Sequence, residues 1–500
     1  MKPKQEHIKR LLLGIILGFM LLPLLQQYVP FAQLKPLSGD IQQKVKPQFT
    51  DTGWWSGSYQ HAFDDWHNEN FGFRSMAVRI HNQSGYWLLA RAYANNVKIG
   101  KEGYLYETNY MEAYSGVDFI GEKKIRAQLE KAKAVQDKLA ERDITLLLVF
   151  APGKGSFFHE YLPEKYQQVV GPKNSDVYAR LSKELQLNHI DAHSWFREMK
   201  PVSEYPLFPK CGIHWSRYGA LLAADSITGK IGELRGTRVP GLVLRNIHFS
   251  NTLDDVDYDI GNGMNLLFGP QAPAMAYADF SFEDSVGKKR PKLLTIADSY
   301  FWTFPLYDIE GGSFERIDYL YYNQQYYPHC RGDGLLDSAE VDYRGEIFSH
   351  DVIMILCTDG NLPDFSWGFI DKAYDLVVLG KEQTLKKSSP VVKKMMDQIY
   401  ASPGWIGLLK QKSGVSGIEV DSLVYADALV ALKAGSRMSD PKSIYKRAAP
   451  EIRTVMERIV RDPGWYPLEI EKSRQMGISI DSLLYLDAQY VIGEEKKRKK

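Results

Sequence analysis

The chain has 500 residues, 44% of them apolar and 25% charged, which is enough for two or three globular domains with substantial cores. Its 62 Lys and Arg nearly cancel 61 Asp and Glu, for a formal net charge of +1, so no overall field draws nucleic acid. Three cysteines, Cys211, Cys330 and Cys357, with no Cys-x-x-Cys pair exclude a disulfide framework and a zinc ribbon. One pair can still form in an exported protein, and Cys357, in the run "VIMILC", reads as a small core residue.

The chain opens on "MKPKQEHIKR" and continues at once into "LLLGIILGFMLLPLL". The apolar run from Leu11 to Leu25, extensible toward Phe31, is short for a spanning helix and long for a signal h-region. No small-x-small cleavage site follows it. Residues 1–31 therefore read as a cytoplasmic basic end and an uncleaved signal-anchor, with a cleaved signal peptide as the alternative. This predicts a single-pass protein of the inner (cytoplasmic) membrane whose main domain is exported to the periplasm or cell exterior.

Residues 32–50 form a polar, proline-containing linker. "FDDWHNENFGFRSMAVRIHNQ" predicts a helix, a break at Gly72 and a second helix. "VKIGKEGYLYE" predicts a short strand pair turned at Lys101–Gly103. Ile125, Leu129, Ala132, Val135 and Leu139 recur at helical spacing. Three apolar runs bounded by turn residues read as buried parallel strands: "ITLLLVFAP" (144–152), "PKLLTIADS" (291–299) and "HDVIMILCTDGN" (350–361). Helical patterns between them predict a three-layer α/β domain with a parallel sheet over residues 51–380, its chemistry at the C-terminal strand edge.

Residues 381–500 differ. A segment beginning "SPGW" at Ser402 recurs as "DPGW" at Asp462, offset by sixty residues. Pro403/Pro463, Trp405/Trp465, Lys412/Lys472, Gly417/Gly477, Asp421/Asp481, Tyr425/Tyr485 and Asp427/Asp487 all match. Each copy reads as a helical hairpin, so the region is all-α. Structural packing by the two tryptophans is the leading expectation here, and partner or glycan binding the lesser one.

"TIADSYF" places Ser299 at a strand-to-helix turn after Asp298 and before Tyr300, where backbone N–H groups can face a developing oxyanion. Asp-Ser is equally a common helix cap. "CTDGN" offers Asn361 as an amide donor at the same edge, and "KCGIHWSRYGA" sets His214 beside Trp215.

Together these blocks resemble the SGNH hydrolase-like domain of the alginate O-acetyltransferase-like family. "ADS" is similar to the Gly-Asp-Ser nucleophile block, with Ala297 for glycine, and "GIHWSRYG" to the Asp-x-His-Trp block. "NFGFR" (70–74), "KIGKEGYLY" (98–106) and "FAPGKGSFFHEYLP" (150–163) follow that family's order. The resemblance spans about residues 64–361 and leaves the C-terminal copies outside. It implies an SGNH-type, flavodoxin-like fold and O-acyl transfer, usually of acetyl, to a cell-surface or secreted polysaccharide. Ser299 would be the nucleophile, His214 the base, and Asn361 with the Ser299 N–H the oxyanion donors, with Asp298, Trp215, Lys154, Tyr300 and Arg331 joining them around the oxyanion and substrate. It further implies a membrane-bound O-acyltransferase partner, a polysaccharide acceptor and no cofactor.

The sequence departs from the family where the acid should stand: Gly212 precedes His214 by two residues and Cys211 by three. Three readings follow. A Ser299–His214 dyad works alone, or a carboxylate from elsewhere substitutes, with Asp333, Asp359 and Asp255 as the loop candidates. The third is a catalytically silent glycan-binding or scaffold protein of an envelope assembly. An acyl-ester hydrolase with the same site is the rival enzyme. Lys154 in "APGKGS" reads as a solvated loop lysine or, less readily, an anion contact. The stretch at "YYNQQYYPHCRGDG" gathers Tyr319, Tyr321, Tyr322, Tyr326 and Tyr327 near His329 and Arg331, an aromatic loop suited to sugar stacking or to burial against the N-terminal helices. Cys211 and Cys330 flank the site, within reach of a disulfide in principle. No acid or histidine spacing matches a zinc or calcium site.

Overall fold

The computed structural model describes residues 2–39, 44–306, 308, 310–330, 335–438, 448–462, 464–476 and 479–498. Arg331, Asp333, Pro463 and Gly477 lie outside the described residues.

Strands β1 (Val97–Ile99) and β2 (Leu105–Glu107) pair antiparallel across the turn at Lys101–Gly103. β3 (Thr145–Ala151) and β4 (His189–Asp191) enter the main sheet. β5 (Leu242–Ser250) and β6 (Met275–Phe282) form a separate antiparallel ribbon that the sequence reading did not anticipate. β7 (Lys292–Ala297), β8 (Arg316–Tyr321), β9 (Gln325–Tyr327), β10 (Leu336–Asp337) and β11 (Val352–Thr358) complete the main sheet, in the order β10-β9-β8-β7-β11-β3-β4. β8, β7, β11, β3 and β4 run parallel; at one edge β9 turns back antiparallel to β8, and β10 antiparallel to β9.

The continuous apolar runs follow from burial on both faces. Leu147, Val149, Met354 and Leu356 meet one helical layer, in which Leu221, Ala224 and Ile227 of helix Arg217–Leu234 take part. Leu146, Leu148, Ile353, Ile355 and Cys357 meet the other layer, which Ile125, Leu129 and Ala132 of helix Glu122–Ala140 join. Each such side chain contributes roughly 1.5–3 kcal/mol on leaving water. The result is the expected three-layer α/β unit. Register aligns Ala151 with Thr358 and Leu356 with Ala297, which brings the C-terminal ends of β3, β11 and β7 to one edge.

The first helix runs Lys2–Tyr28, and its stretch His7–Tyr28 is long and apolar enough to cross a membrane by length and composition. Helices Ser58–Asn70 and Arg74–Leu89 flank the predicted break. Gly72 is required there because a Cβ would stand 2.1 Å from Pro23 O and 2.8 Å from Gln27 N of the first helix.

In the C-terminal region, helices Pro403–Ser416 and Val420–Met438 make the first hairpin, and Tyr466–Met476 and Ile480–Arg498 the second. Each is preceded by another helix, Pro390–Ala401 and Pro450–Arg461, that the hairpin reading did not include. Val392, Ile399 and Val424 share one core with Met456, Ile459 and Leu484. Trp405 is buried in that core, donating Nε1–H to Asp427 (3.0 Å) and meeting Tyr466 edge-on, which is a packing role.

Candidate active site

Ser299 opens a short 3₁₀ turn, Ser299–Trp302, directly after β7. Asp298 caps that turn, accepting from Tyr300 N–H at 3.1 Å. Its other oxygen accepts from Thr358 N (2.8 Å), Thr358 Oγ1 (2.6 Å) and Asn361 Nδ2 (2.9 Å). Asp298 is fully buried, and burial raises its carboxyl while these four bonds pull it down. It therefore welds the end of β7 to the end of β11 and leaves Ser299 half-buried at the sheet edge.

His214 lies across this edge. Ser299 Oγ donates to His214 Nε2 at 2.9 Å, and His214 Nδ1 donates to Asp259 Oδ2 at 2.6 Å. The carboxylate can only accept, so Nδ1 carries the proton and Nε2 presents its lone pair to the serine. Burial alone would lower the imidazole pKa, but the Asp259 charge and hydrogen bond outweigh it, and the net shift is upward. The histidine side chain keeps 17% exposure, enough to meet a ligand at one edge.

The carboxylate is none of the three loop candidates. It stands 45 residues after His214, on the short helix Asp259–Gly263 inside the excursion between β5 and β6. Its Oδ1 accepts from Ile213 N at 2.8 Å, so one acid holds both the ring and the backbone beside it. Asp255, in the same acidic run, accepts instead from Asn262 (3.4 Å). Asp359 is buried and accepts from Ser156 Oγ at 2.5 Å, with His193 Nε2 at 3.5 Å.

Gly212 explains the relocation. A Cβ there would lie 2.3 Å from Val256 O and 2.8 Å from Pro209 Cγ. The segment that delivers Asp259 thus crosses the very place where an acid at position 212 would need room.

Several side chains expected at a substrate surface are instead structural. Lys154 is fully buried, neither solvated nor open to an anion, and its Nζ donates to Lys210 O (2.6 Å) and Gly212 O (2.7 Å). Burial lowers its pKa to about 7. Trp215 is fully buried and donates Nε1–H to Thr303 Oγ1 at 2.8 Å. Tyr300 is fully buried and donates to Ile213 O at 2.8 Å. With Gly261 N–H on Cys211 O (3.0 Å), the carbonyls from Lys210 to Ile213 are all tied, and the histidine loop is fixed from three sides.

Asn361 was expected to face the oxyanion, but its Nδ2 donates to Asp298 and, at 2.9 Å, to Thr358 Oγ1. The tyrosine-rich segment is the β8–β9 hairpin: Tyr319 and Tyr326 are buried, while Tyr321 and Tyr327 close around Trp302 rather than the N-terminal helices. Cys211, Cys330 and Cys357 are all buried, and Cys211 and Cys330 are not bridged. Sequence reasoning also missed Glu107, a half-buried carboxylate ending β2, which burial raises, with Asp259 adding and His214 opposing. The acidic run "DDVDYD" (254–259) was a visible signal for Asp259, but no spacing rule links it to His214.

Among the described residues, Asp318, Glu346 and His350 bring ligand atoms within 4.8 Å of one another. Arg316 already pairs with Asp318, and His350 Nε2 meets the same carboxylate at 2.8 Å, so this is a closed ion-pair network. A hydroxyl, an imidazole and a carboxylate in one line suit nucleophilic acyl chemistry.

Residues 97–241 match the family described as SGNH hydrolase-like domain, acetyltransferase AlgX. The AlgX-type segment contains Lys154 and His214 and ends before Asp259 and Ser299. Among solved structures, the chain is similar to the O-acetyltransferase domain of Pseudomonas putida AlgJ, at 14% identity and TM-score 0.38, over 56% of this chain and 99% of that one. Pseudomonas aeruginosa AlgX aligns at 12% identity and TM-score 0.35, over 55% and 67%. Bacillus cereus PatB1 aligns at 11% identity and TM-score 0.34, over 54% and 98%. No curated protein sequence matches the chain.

Proposed function

We propose that this chain is an exported, membrane-anchored O-acyltransferase that moves an acyl group, most simply acetyl, onto a polysaccharide hydroxyl. The observation that carries the reading is the hydrogen-bonded line Asp259–His214–Ser299 at the sheet edge of an AlgX-type domain. Residues 51–380 would be the acyl-transfer unit, residues 381–500 a helical appendage, and the first helix the anchor that keeps the site beside a membrane-bound acyl donor system.

In this mechanism His214 Nε2 takes the Ser299 proton as Oγ attacks the acyl carbon, and the resulting imidazolium is held by Asp259. The imidazolium then protonates the departing group. A glycan hydroxyl enters, gives its proton to the same nitrogen as its oxygen attacks the acyl carbon, and takes the acyl group as the bond to Ser299 Oγ breaks and Oγ recovers that proton from His214.

The test is acyl-enzyme formation and onward transfer. A serine-directed phosphonate should label the wild type once per chain, and Ser299→Ala and His214→Ala should each abolish both labelling and acetyl transfer to oligosaccharides. Full activity in both variants would sink the site assignment, and a folded wild type that never labels would sink the catalytic reading. Faster acyl-ester hydrolysis than transfer, across oligosaccharide acceptors, would make it a hydrolase instead.

A further inference from the structure

β8 and β9 are joined by a tight turn, Tyr321–Gln324, closed by Gln324 N–H on Tyr321 O at 2.9 Å. Both central residues have positive φ, 48° at Tyr322 and 50° at Asn323. Tight turns with positive φ at both central residues favour Asn and Gly, because a Cβ is strained there. Asn323 fits this rule and Tyr322 violates it. Residues held in sparsely populated backbone regions persist where the surroundings over-determine them, commonly at functional sites.

The surroundings of Tyr322 show what the strain serves. Its N–H donates to Ala297 O at 2.9 Å, which docks the turn on the strand end that leads into Ser299. Its ring meets Trp367 edge-on at 5.1 Å and Tyr321 at 4.6 Å, fixing its direction. Its hydroxyl lies beside the Ser299 side chain and backbone N–H, close enough for both to act on its charge. Those two groups mark where the oxygen of an attacked acyl group comes to rest. Asn361, the amide nearest this edge, already spends its donors on Asp298 and Thr358.

We propose that Tyr322 is a further catalytic residue, whose phenol O–H donates to the acyl oxygen beside the Ser299 N–H, on the strength of its turn strain and its seat over Ser299. This rests on the acyl-transfer reading above. As Ser299 Oγ bonds to the acyl carbon, its proton passes to His214 and the carbonyl π pair moves onto the acyl oxygen. Tyr322 donates a hydrogen bond to that oxyanion without losing its proton. When the C–O bond to the leaving group breaks, the pair returns and His214 supplies the departing proton. Burial raises the Tyr322 phenol well above its ordinary value, which keeps it a neutral donor throughout.

Two substitutions separate this from a packing role, using the full chain and 4-nitrophenyl acetate as the acyl donor. Tyr322→Phe keeps the ring against Trp367 and should lower kcat about 100-fold with little change in KM and an unshifted pH limb. Tyr322→Asn suits the turn, and should raise Tm by a few degrees while lowering kcat as much. Tyr322→Phe within twofold of wild type, with wild type active and Ser299→Ala silent, overturns the proposal and spares the acyl-transfer reading. Wild type no faster than Ser299→Ala overturns both.

Discussion

Asp259 touches His214 through one oxygen and Ile213 through the other, so removing its charge acts on proton affinity before it acts on shape. Asp259→Asn should preserve the packing and cut kcat by about 10⁴, since an amide supports the wrong imidazole tautomer. The pH profile carries the sign. His214 must be neutral to accept the serine proton, and its pKa is raised, so wild-type kcat/KM should climb through a limb above the ordinary imidazole value of about 6.5. Without the Asp259 charge only burial remains as the dominant influence, and the limb should move down. Lys154 is the second residue whose charge matters. Lys154→Met strips donors from the carbonyls of Lys210 and Gly212 and should cost roughly 2–4 kcal/mol in denaturant melts. Its native pKa of about 7 lies below the unfolded value of about 10.4. Between these values the unfolded chain holds a proton that the folded chain has released. Wild-type stability should therefore grow with pH relative to the variant across that window, and a flat difference would contradict it.

At the scale of elements, the sequence reading recovered the parts that have a period. β3, β7 and β11 announced themselves as apolar runs because both their faces are buried, and helix Glu122–Ala140 as a helical stripe because only one of its faces is. Ser299 and His214 were legible from strand-end position and from short ordered blocks. Asp259 was not, because the excursion that carries it has no periodicity, and a bulge between Arg245 and His248 breaks the ribbon's alternation. Tyr322 was seen only as one aromatic among several, since turn strain is a property of φ and not of composition. Lys154 was misjudged because nothing local to "APGKGS" shows that another loop's carbonyls will close over it. The ribbon also makes a counter-intuitive prediction. Gly212→Asp restores the acid of the Asp-x-His-Trp block, yet its side chain would collide with the Val256 carbonyl. It should lose activity and about 1–3 kcal/mol of stability, measured by urea unfolding and turnover. A gain in kcat would mean that the excursion yields more readily than its packing implies.

For the whole molecule, the described groups of the candidate site come from residues 107 to 361, so the first helix supplies none of them, and the C-terminal helices build their own core. Removing residues 1–31 should therefore release the protein from membranes in fractionation and leave 4-nitrophenyl acetate turnover near wild type. A collapse of turnover would show that the Pro23–Gly72 contact organises more than the junction it lies in.

The excursion between β5 and β6 stands outside the main sheet and docks on the histidine loop through bonds such as Asp259 with His214 and Gly261 with Cys211. Partial opening can lift it away while β3, β7 and β11 stay paired, so competence has an opening free energy of its own, smaller than that of the domain. Native-state amide exchange should then show Gly261 exchanging through a shallower, less denaturant-sensitive opening than Leu148 or Met354. In rising urea the enzyme should fall silent while its sheet is still intact: disarmed before it is unfolded.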